Sequence, residues 1–107
     1  MDILEEIVAH KRVEVERLKE QLSEREIHSR VEALMATPEG SLVPSMKKAI
    51  KESSTGIISE FKRKSPSKGW IKEEGKAGVI PLSYQQNGAS AISILTDYEY
   101  FGGKDEF

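Results

Sequence analysis

Two strand-like runs separated by one helical stretch limit the fold more than any other feature of this chain. The first run is Gly56–Lys62 (GIISEFK) and the second is Ala89–Thr96 (ASAISILT). The helix predicted between them begins near Ile80, with Pro81 tolerated as a first helical residue, and ends near Asn87. Strands joined through a helix run parallel, so a right-handed β-α-β unit is predicted. Two parallel strands do not close a core, so this order predicts the beginning of a larger α/β fold.

Helices are predicted ahead of the first strand. Residues 2–22 contain no Gly or Pro, and residues 24–36 continue the helical character up to a break at Thr37–Gly40. A third, short helix is predicted over Ser45–Lys51, with Ser45 as its N-cap. We therefore predict a helical extension over residues 1–55, followed by the β-α-β part over 56–107. The apolar stripe of the first helix consists of Ile3, Leu4, Ile7, Val8, Val15, Leu18 and Leu22.

Composition excludes several classes of protein. The chain has 107 residues, a formal net charge of −2 and no cysteine, so it has neither disulfides nor thiolate metal sites. No apolar run reaches the ~18 residues of a membrane span, and no signal-peptide pattern opens the chain. A cytoplasmic protein that binds neither nucleic acid nor membrane is expected. Residues 42–76 carry nine Lys/Arg against four Asp/Glu, a net of +5, which indicates a local anion site or a solvated basic surface.

The first strand places charged side chains where apolar ones are usual. Ile58, Glu60 and Lys62 share one face because strand side chains alternate. This face is either exposed to solvent, with a weak surface ion pair, or a functional face inside a barrel. His10 and His28 lie on predicted helices without a second ligand at a metal-binding spacing, so no metal site is predicted.

Two longer motifs narrow these alternatives. GIISEFKRKSPSKG (Gly56–Gly69) and GASAISILTDYEYFGG (Gly88–Gly103) resemble the first two barrel strands of the indole-3-glycerol phosphate synthase family. There the first strand reads close to IIAE-hydrophobic-KR-x-SPS-x-G, and the second ends close to S-x-LT-(D/E)-x-x-(Y/F)FxG. Together with the helical extension, the resemblance covers nearly the whole chain, although Lys72–Gly78 departs from the family pattern. The matching positions are Glu60, Lys62, Ser65, Pro66, Ser67, Leu95, Thr96, Phe101 and Gly103.

The resemblance implies a (β/α)8 TIM barrel, which needs ~250 residues and eight strands. This chain would be its N-terminal fragment, with the helical extension, strand 1, helix 1 and strand 2. The implied enzyme is a carbon-carbon carboxy-lyase of tryptophan biosynthesis that needs neither metal nor cofactor. It closes the indole ring of 1-(2-carboxyphenylamino)-1-deoxyribulose 5-phosphate with loss of carbon dioxide and water. The family's strand-three lysine, later glutamate and distal phosphate loops fall outside these residues, so the fragment is expected to be inactive alone.

The resemblance also implies roles for four residues. Lys62 would pair with the substrate anion and donate a proton as hydroxide leaves, and Glu60 would position Lys62 and tune its charge. Ser65 would donate a hydrogen bond to a carboxylate, and Phe101 would line the pocket beside the aromatic part of the substrate. Lys62 and Glu60 are thus the predicted catalytic residues, and Ser65 and Phe101 the predicted substrate-binding residues.

Two other interpretations of the sequence stay open. A non-catalytic helical module could self-associate through the apolar stripe of the first helix. The chain could instead belong to another phosphate-handling barrel, although the Glu60–Lys62–Ser65 arrangement argues against that. Whichever barrel family the chain belongs to, strands 1 and 2 alone would each leave an edge without a partner strand. Self-association of the chain is therefore expected.

Overall fold

The computed structural model describes residues 2–107, which form two compact units. One unit extends up to Pro44, and the other is Ser45–Phe107. None of the helices in the described residues is long and apolar enough to cross a bilayer.

The first unit is helical, as predicted. Helix α1 spans Ile3–Gln21 and begins with a capping box, in which the Asp2 carboxylate accepts the Glu5 amide and the Glu5 carboxylate accepts the Asp2 amide. Helix α2 spans Glu24–Met35, and a short 3-10 helix follows at Pro38–Leu42. Neither α-helix contains a fully buried residue, and many of their apolar side chains are exposed, namely Ile3, Leu4, Val8, Val13, Leu18, Ile27, Val31, Leu34 and Met35.

The second unit contains a parallel β-α-β arrangement, which confirms the predicted strand pairing. Strands β1 and β4 pair in parallel, with Ile58 beside Ala91 and Phe61 beside Ile94. Helix α4 lies between them in sequence and packs against both strands. Ser45 caps α3 by accepting the Lys48 amide, as expected. The elements are α3 Met46–Glu52, β1 Ile58–Phe61, β2 Lys64–Ser65, β3 Gly69–Trp70, α4 Ile80–Gln86, β4 Ala91–Ile94 and α5 Tyr98–Phe101.

The sequence predicts loops over Arg63–Trp70 and Asp97–Gly103, and both predictions were wrong because both segments contain regular structure. The segment after β1 is a small antiparallel hairpin, in which β2 pairs with β3 and Lys64 lies opposite Trp70. The segment after β4 contains α5, a single helical turn. The Asp97 side chain caps this turn by accepting the Tyr100 amide, and Gly102 ends it in the left-handed conformation, at φ 64°. Both elements follow the carboxyl ends of the parallel strands.

Hydroxyl groups join the amino-terminal ends of the parallel strands. The Ser53 hydroxyl accepts the Gly56 amide and shares a hydrogen bond with the Ser90 hydroxyl. The Thr55 hydroxyl donates to the Gly88 carbonyl and also contacts the Ser90 hydroxyl. The turn before β1 is therefore fixed to the turn before β4.

The sheet is covered on one face only. Phe61 forms the buried apolar core of the described residues at 3% exposure, whereas Ile58 on the opposite face is 50% exposed. Within residues 2–107 the parallel sheet has two strands and does not close into a barrel. The outer edges of β1 and β4 have no further strand beside them in the described residues. The observed class is α/β, with helices and a few strands.

Candidate active site at the carboxyl end of the parallel strands

Glu60 and Lys62 lie together on the open face of the sheet. The Lys62 Nζ is 3.6 Å from the Glu60 Oε1, and the side chains are 36% and 49% exposed. An ion pair this exposed contributes only about 0–1 kcal/mol to stability, so it does not hold the fold together. It does leave an ammonium and a carboxylate accessible at the end of a strand. The alternation predicted from the sequence, with both charges on one side, matches this geometry.

Ser93 of β4 is an additional polar residue on this face that sequence reasoning missed. It pairs with Glu60 in the parallel register, and directly paired residues project to the same side of a sheet. Its hydroxyl side chain therefore lies on the same face as the Glu60 carboxylate. The sequence did contain a signal for this residue. Side chains alternate along the second strand, so Ala91 and Ser93, which are smaller and more polar than Ile92 and Ile94, share one face.

Ser65 is held in the hairpin that follows β1. It is 7% exposed, and its Oγ accepts the Lys68 backbone amide at 3.1 Å. Because the oxygen accepts that bond, the hydroxyl proton remains available as a donor. Pro66 and Ser67, the other members of the SPS motif, are exposed in the hairpin turn. The motif therefore forms a tight turn that fixes the position of the Ser65 hydroxyl.

Phe101 lies on α5, which packs against β2. Phe101 is half-buried, and Gly102 and Gly103 directly after it are buried. A Cβ on Gly103 would overlap the backbone of Leu95 and Thr96, so the chain passes closely over the end of β4. Gly102 lies against the Trp70 ring and Lys64 of the hairpin, so the Phe101 segment is beside the hairpin. Ser65 and Phe101 thus lie on neighbouring elements, β2 and α5. Glu60 lies on β1, and Lys62 follows this strand directly.

Arg63 connects the two segments, and sequence analysis did not single it out. Its Nε donates to the Gly102 carbonyl at 2.8 Å, and its Nη1 donates to the Glu73 carbonyl at 2.9 Å. The guanidinium also lies over the Trp70 ring, 5.4 Å from its centroid. The one sequence signal at this position is the basic run Lys62-Arg63-Lys64. Such a run does not show whether its arginine binds other segments of the chain or lies free on the surface.

The arrangement is suited to binding an anion at the open end of the sheet. An ammonium, a hydroxyl donor and an aromatic ring come from β1, the hairpin and α5. The Glu60 carboxylate adds a negative charge 3.6 Å from this ammonium. Parallel α/β sheets bind ligands at this end of their strands, because the loops there carry the variable side chains.

A parallel β-α-β unit with charged side chains at the carboxyl end of its first strand is a building block of α/β-barrel enzymes. Residues 4–107 match the family model described as indole-3-glycerol phosphate synthase, so the chain belongs to that family. The family consists of decarboxylating lyases of tryptophan biosynthesis built on the TIM barrel. The resemblance of the two strand motifs to this family is thereby confirmed.

Curated relatives named indole-3-glycerol phosphate synthase agree with the family model. The chain is 48% identical to one from Bacteroides thetaiotaomicron over 102 residues, which cover 95% of this chain and 37% of the relative. It is 39% identical to one from Aliarcobacter butzleri over 105 residues, or 98% of this chain and 39% of the relative. A relative from Microcystis aeruginosa is 40% identical, with 98% of this chain and 34% of the relative covered. The chain therefore spans little more than a third of the length of these relatives.

Proposed function

We propose that this chain contributes the helical extension and the first two barrel strands of an indole-3-glycerol phosphate synthase. The extension would comprise residues 1–55, and the barrel part residues 56–107. In the reaction, the aromatic carbon that carries the carboxylate bonds to the ketone carbon of the deoxyribulose phosphate. The carboxylate leaves as carbon dioxide, and the former ketone oxygen leaves as water. The proposed substrate is a phosphorylated small molecule with a carboxylate, and the step needs no redox cofactor or metal.

The paired position of Glu60 and Lys62 carries this proposal. Both side chains are accessible on the open face, with the Lys62 Nζ 3.6 Å from the Glu60 Oε1, which leaves an ammonium available to a substrate carboxylate. We assign Lys62 to substrate binding through charge and to proton donation when hydroxide leaves. Glu60 holds the ammonium in place through its carboxylate. The substrate carboxylate then replaces Glu60 as the nearest anion to Lys62.

Ser65 and Phe101 are proposed to bind substrate. The Ser65 hydroxyl can donate to a carboxylate because its oxygen already accepts the Lys68 amide. Phe101 offers an aromatic face from the neighbouring element, which suits the anthranilate ring of the substrate. Ser93 lies beside Glu60 in the register and adds a hydroxyl to the face that carries the Glu60 carboxylate.

The test compares two proteins assayed for the indole product by its fluorescence. One is a full-length protein that extends this sequence to the length of its relatives, and the other is the 107-residue chain. We expect product from the first and none above background from the second, because the later active-site segments of the family are not in these residues. A folded, inactive full-length protein would refute the proposed function. Product from the purified short chain would refute the proposal that it is inactive alone.

A second candidate is a self-associating helical module without catalytic function. The observation in its favour is the exposed apolar face of α1 and α2, which includes Leu4, Val8 and Leu18 at 67%, 39% and 52% exposure. A peptide spanning residues 1–36 distinguishes the two candidates. Helicity that rises steeply with peptide concentration would support the module, and helicity independent of concentration would argue against it.

A further inference from the structure

The single asparagine of the 107 residues, Asn87, is followed directly by a glycine. The pair ends helix α4, with Asn87 as the C-cap and Gly88 at φ 106°. Both residues are exposed, so solvent reaches the side-chain amide and the peptide bond that joins them. An exposed asparagine before glycine combines a chemically labile side chain with a backbone that has no Cβ to obstruct it.

These two residues contain both partners of an intramolecular reaction. The Gly88 amide nitrogen loses its proton and attacks the Asn87 Cγ, and the side-chain nitrogen leaves as ammonia. The product is a succinimide ring, which water then opens. Water that adds at Cγ gives aspartate, whereas water that adds at the backbone carbonyl carbon gives isoaspartate, in which the main chain runs through Cβ and Cγ. Overall a water is consumed and an ammonia is released, with no oxidation or reduction.

Hydrogen bonds oppose this reaction while the end of the helix is closed. The Asn87 Nδ2 donates to the Ser83 carbonyl at 2.7 Å, which holds the leaving amide against α4. The Gly88 N–H donates to the Gln85 carbonyl at 3.2 Å, which holds the attacking nitrogen in the same turn. Attack therefore requires the last turn of α4 to open. Helix ends fray more readily than helix interiors, and neither reacting residue is buried.

A contact from outside the helix holds the same turn. The Thr55 hydroxyl donates to the Gly88 carbonyl at 2.7 Å and lies 2.9 Å from the Ser90 hydroxyl. The Ser90 amide donates to the Ile57 carbonyl at 2.8 Å, immediately before the paired residues of β1 and β4. The stability of this Thr55–Gly88 junction therefore sets how often Gly88 is released for attack.

We propose that Asn87 is a spontaneous modification site, which converts to aspartate and isoaspartate when the Thr55–Gly88 junction opens. The only co-reactant is water. Isoaspartate adds one carbon to the main chain between α4 and β4, where hydrogen bonds fix both the turn and the start of the strand. Either product also places a carboxylate at the C-terminal end of a helix, where the helix dipole disfavours negative charge. The modified chain is therefore less stable than the unmodified one.

The first experiment locates the modification in the folded full-length protein, which is incubated at mildly alkaline pH and then digested with trypsin. Mass spectrometry of peptide 77–104 should show replacement of the amide nitrogen by oxygen at Asn87 and none at Gln86. Gln86 is the matched internal control, because it is an exposed neighbouring amide whose cyclisation needs a larger ring. The same incubation in urea gives the rate for the unfolded chain. A folded protein without product at Asn87 would overturn the site, even if the sample in urea reacts.

The second experiment tests whether the Thr55–Gly88 junction controls the rate. Thr55→Val removes the hydroxyl and keeps the shape, so the folded variant should deamidate about 5-fold faster, the factor for a hydrogen bond of about 1 kcal/mol. Thr55→Ser keeps the hydroxyl and should react at the wild-type rate, as should Ser54→Ala, because Ser54 is exposed. In urea all four proteins should react equally. Equal rates in folded wild type and folded Thr55→Val would overturn control by this junction.

Hydrogen exchange measures the same opening without a variant, so the test stands if Thr55→Val does not fold. The deamidation rate of folded wild type divided by its rate in urea should match the open fraction from exchange of the Gly88 amide within about 3-fold. A larger discrepancy would show that another motion controls the reaction.

The third experiment measures the consequence for stability. Ion exchange separates the charged products, and urea unfolding compares them with wild type and with Asn87→Asp, which carries the charge without the additional carbon. We expect isoaspartate to unfold at the lowest urea concentration and Asn87→Asp below wild type. Coincident unfolding of the isoaspartate form and Asn87→Asp would overturn the effect of the longer main chain, and an Asn87→Asp midpoint equal to wild type would overturn the effect of the charge. These readouts do not depend on catalytic activity, so they decide the inference even if the proposed function fails.

Discussion

The Trp70 ring occupies the space that a side chain on Gly102 would need. A Cβ built on Gly102 would lie 2.8 Å from the Trp70 Cζ3 and 3.2 Å from the Lys64 Cβ. Gly102 is also at φ 64°, a conformation that other residues rarely adopt. The contact brings the segment after β4 directly against the hairpin after β1. Two independent constraints, backbone conformation and space, therefore require glycine at position 102.

Gly102→Ala should destabilise the protein for both reasons. The left-handed conformation costs alanine about 1 kcal/mol, and the Trp70 ring, which is 42% exposed, must also move aside. Urea unfolding of the full-length protein measures the loss. Gly78→Ala is the control, because Gly78 has open space around its Cβ position and no positive φ. Equal free energies of unfolding for the two variants would show that the Trp70–Gly102 contact does not constrain this position.

Lys62→Ala should abolish most of the catalytic activity without unfolding the protein. Lys62 makes an exposed ion pair, so its removal costs little stability, but it removes the cation proposed to meet the substrate. We expect kcat/KM of the full-length protein to fall by ~10²-fold or more. Lys72→Met is the charge-matched control, because the exposed Lys72 ammonium makes no side-chain bond within the described residues. Steady-state rates at the wild-type level in folded Lys62→Ala would exclude Lys62 from the site.

Ser53→Ala should weaken the amino-terminal end of the sheet. The lost hydroxyl accepts the Gly56 amide and bonds the Ser90 hydroxyl, and it is half-buried. Loss of these bonds is expected to cost about 1–2 kcal/mol of unfolding free energy in the full-length protein. Ser54→Ala is a neighbouring control, because Ser54 is exposed. If both variants unfold at the same urea concentration, the hydroxyl cluster contributes nothing measurable to stability.

The 107-residue chain should not behave as a compact monomer. Both outer strand edges lack partners in the described residues, and Phe61 forms the buried apolar core there. Unpaired edges and exposed apolar side chains favour association. Size-exclusion chromatography with light scattering should show a dimer or larger species, or an expanded monomer with poor chemical-shift dispersion. A compact monomer of 12.0 kDa that unfolds cooperatively would contradict this expectation.

The longer elements were predictable from the sequence because their signals are local. Helix α1 lacks Gly and Pro, Ser45 has the hydroxyl of an N-cap, and the helix between the strands required a parallel pairing. The positions of Glu60 and Lys62 on one face followed from alternation alone. These features depend on neighbours within a few residues, so one sequence contains the information for them.

The missed elements depend on contacts between distant segments. The two-residue strands β2 and β3 have no hydrophobic period to detect, and their pairing is supported by Arg63, which also holds Gly102 39 residues away. Helix α5 is too short for a period, although Asp97 as cap and Gly102 as stop were visible signals. The role of Arg63 could not be predicted because its partners are backbone carbonyls, which leave no trace in residue types.

The close spacing of β1 and β4 along the chain bears on how synthesis and folding are ordered. Paired residues such as Ile58 and Ala91 are 33 positions apart, and the intervening segment contains the helix that covers the pair. A ribosome that has released residues up to Ile94 has released everything this ladder needs. Closing a loop of this length has an entropy cost that grows only slowly with its length, by about 0.6 kcal/mol for each doubling. In a longer protein of this family, the pair would therefore become stable only as later strands cover its open edges, in the order of their synthesis.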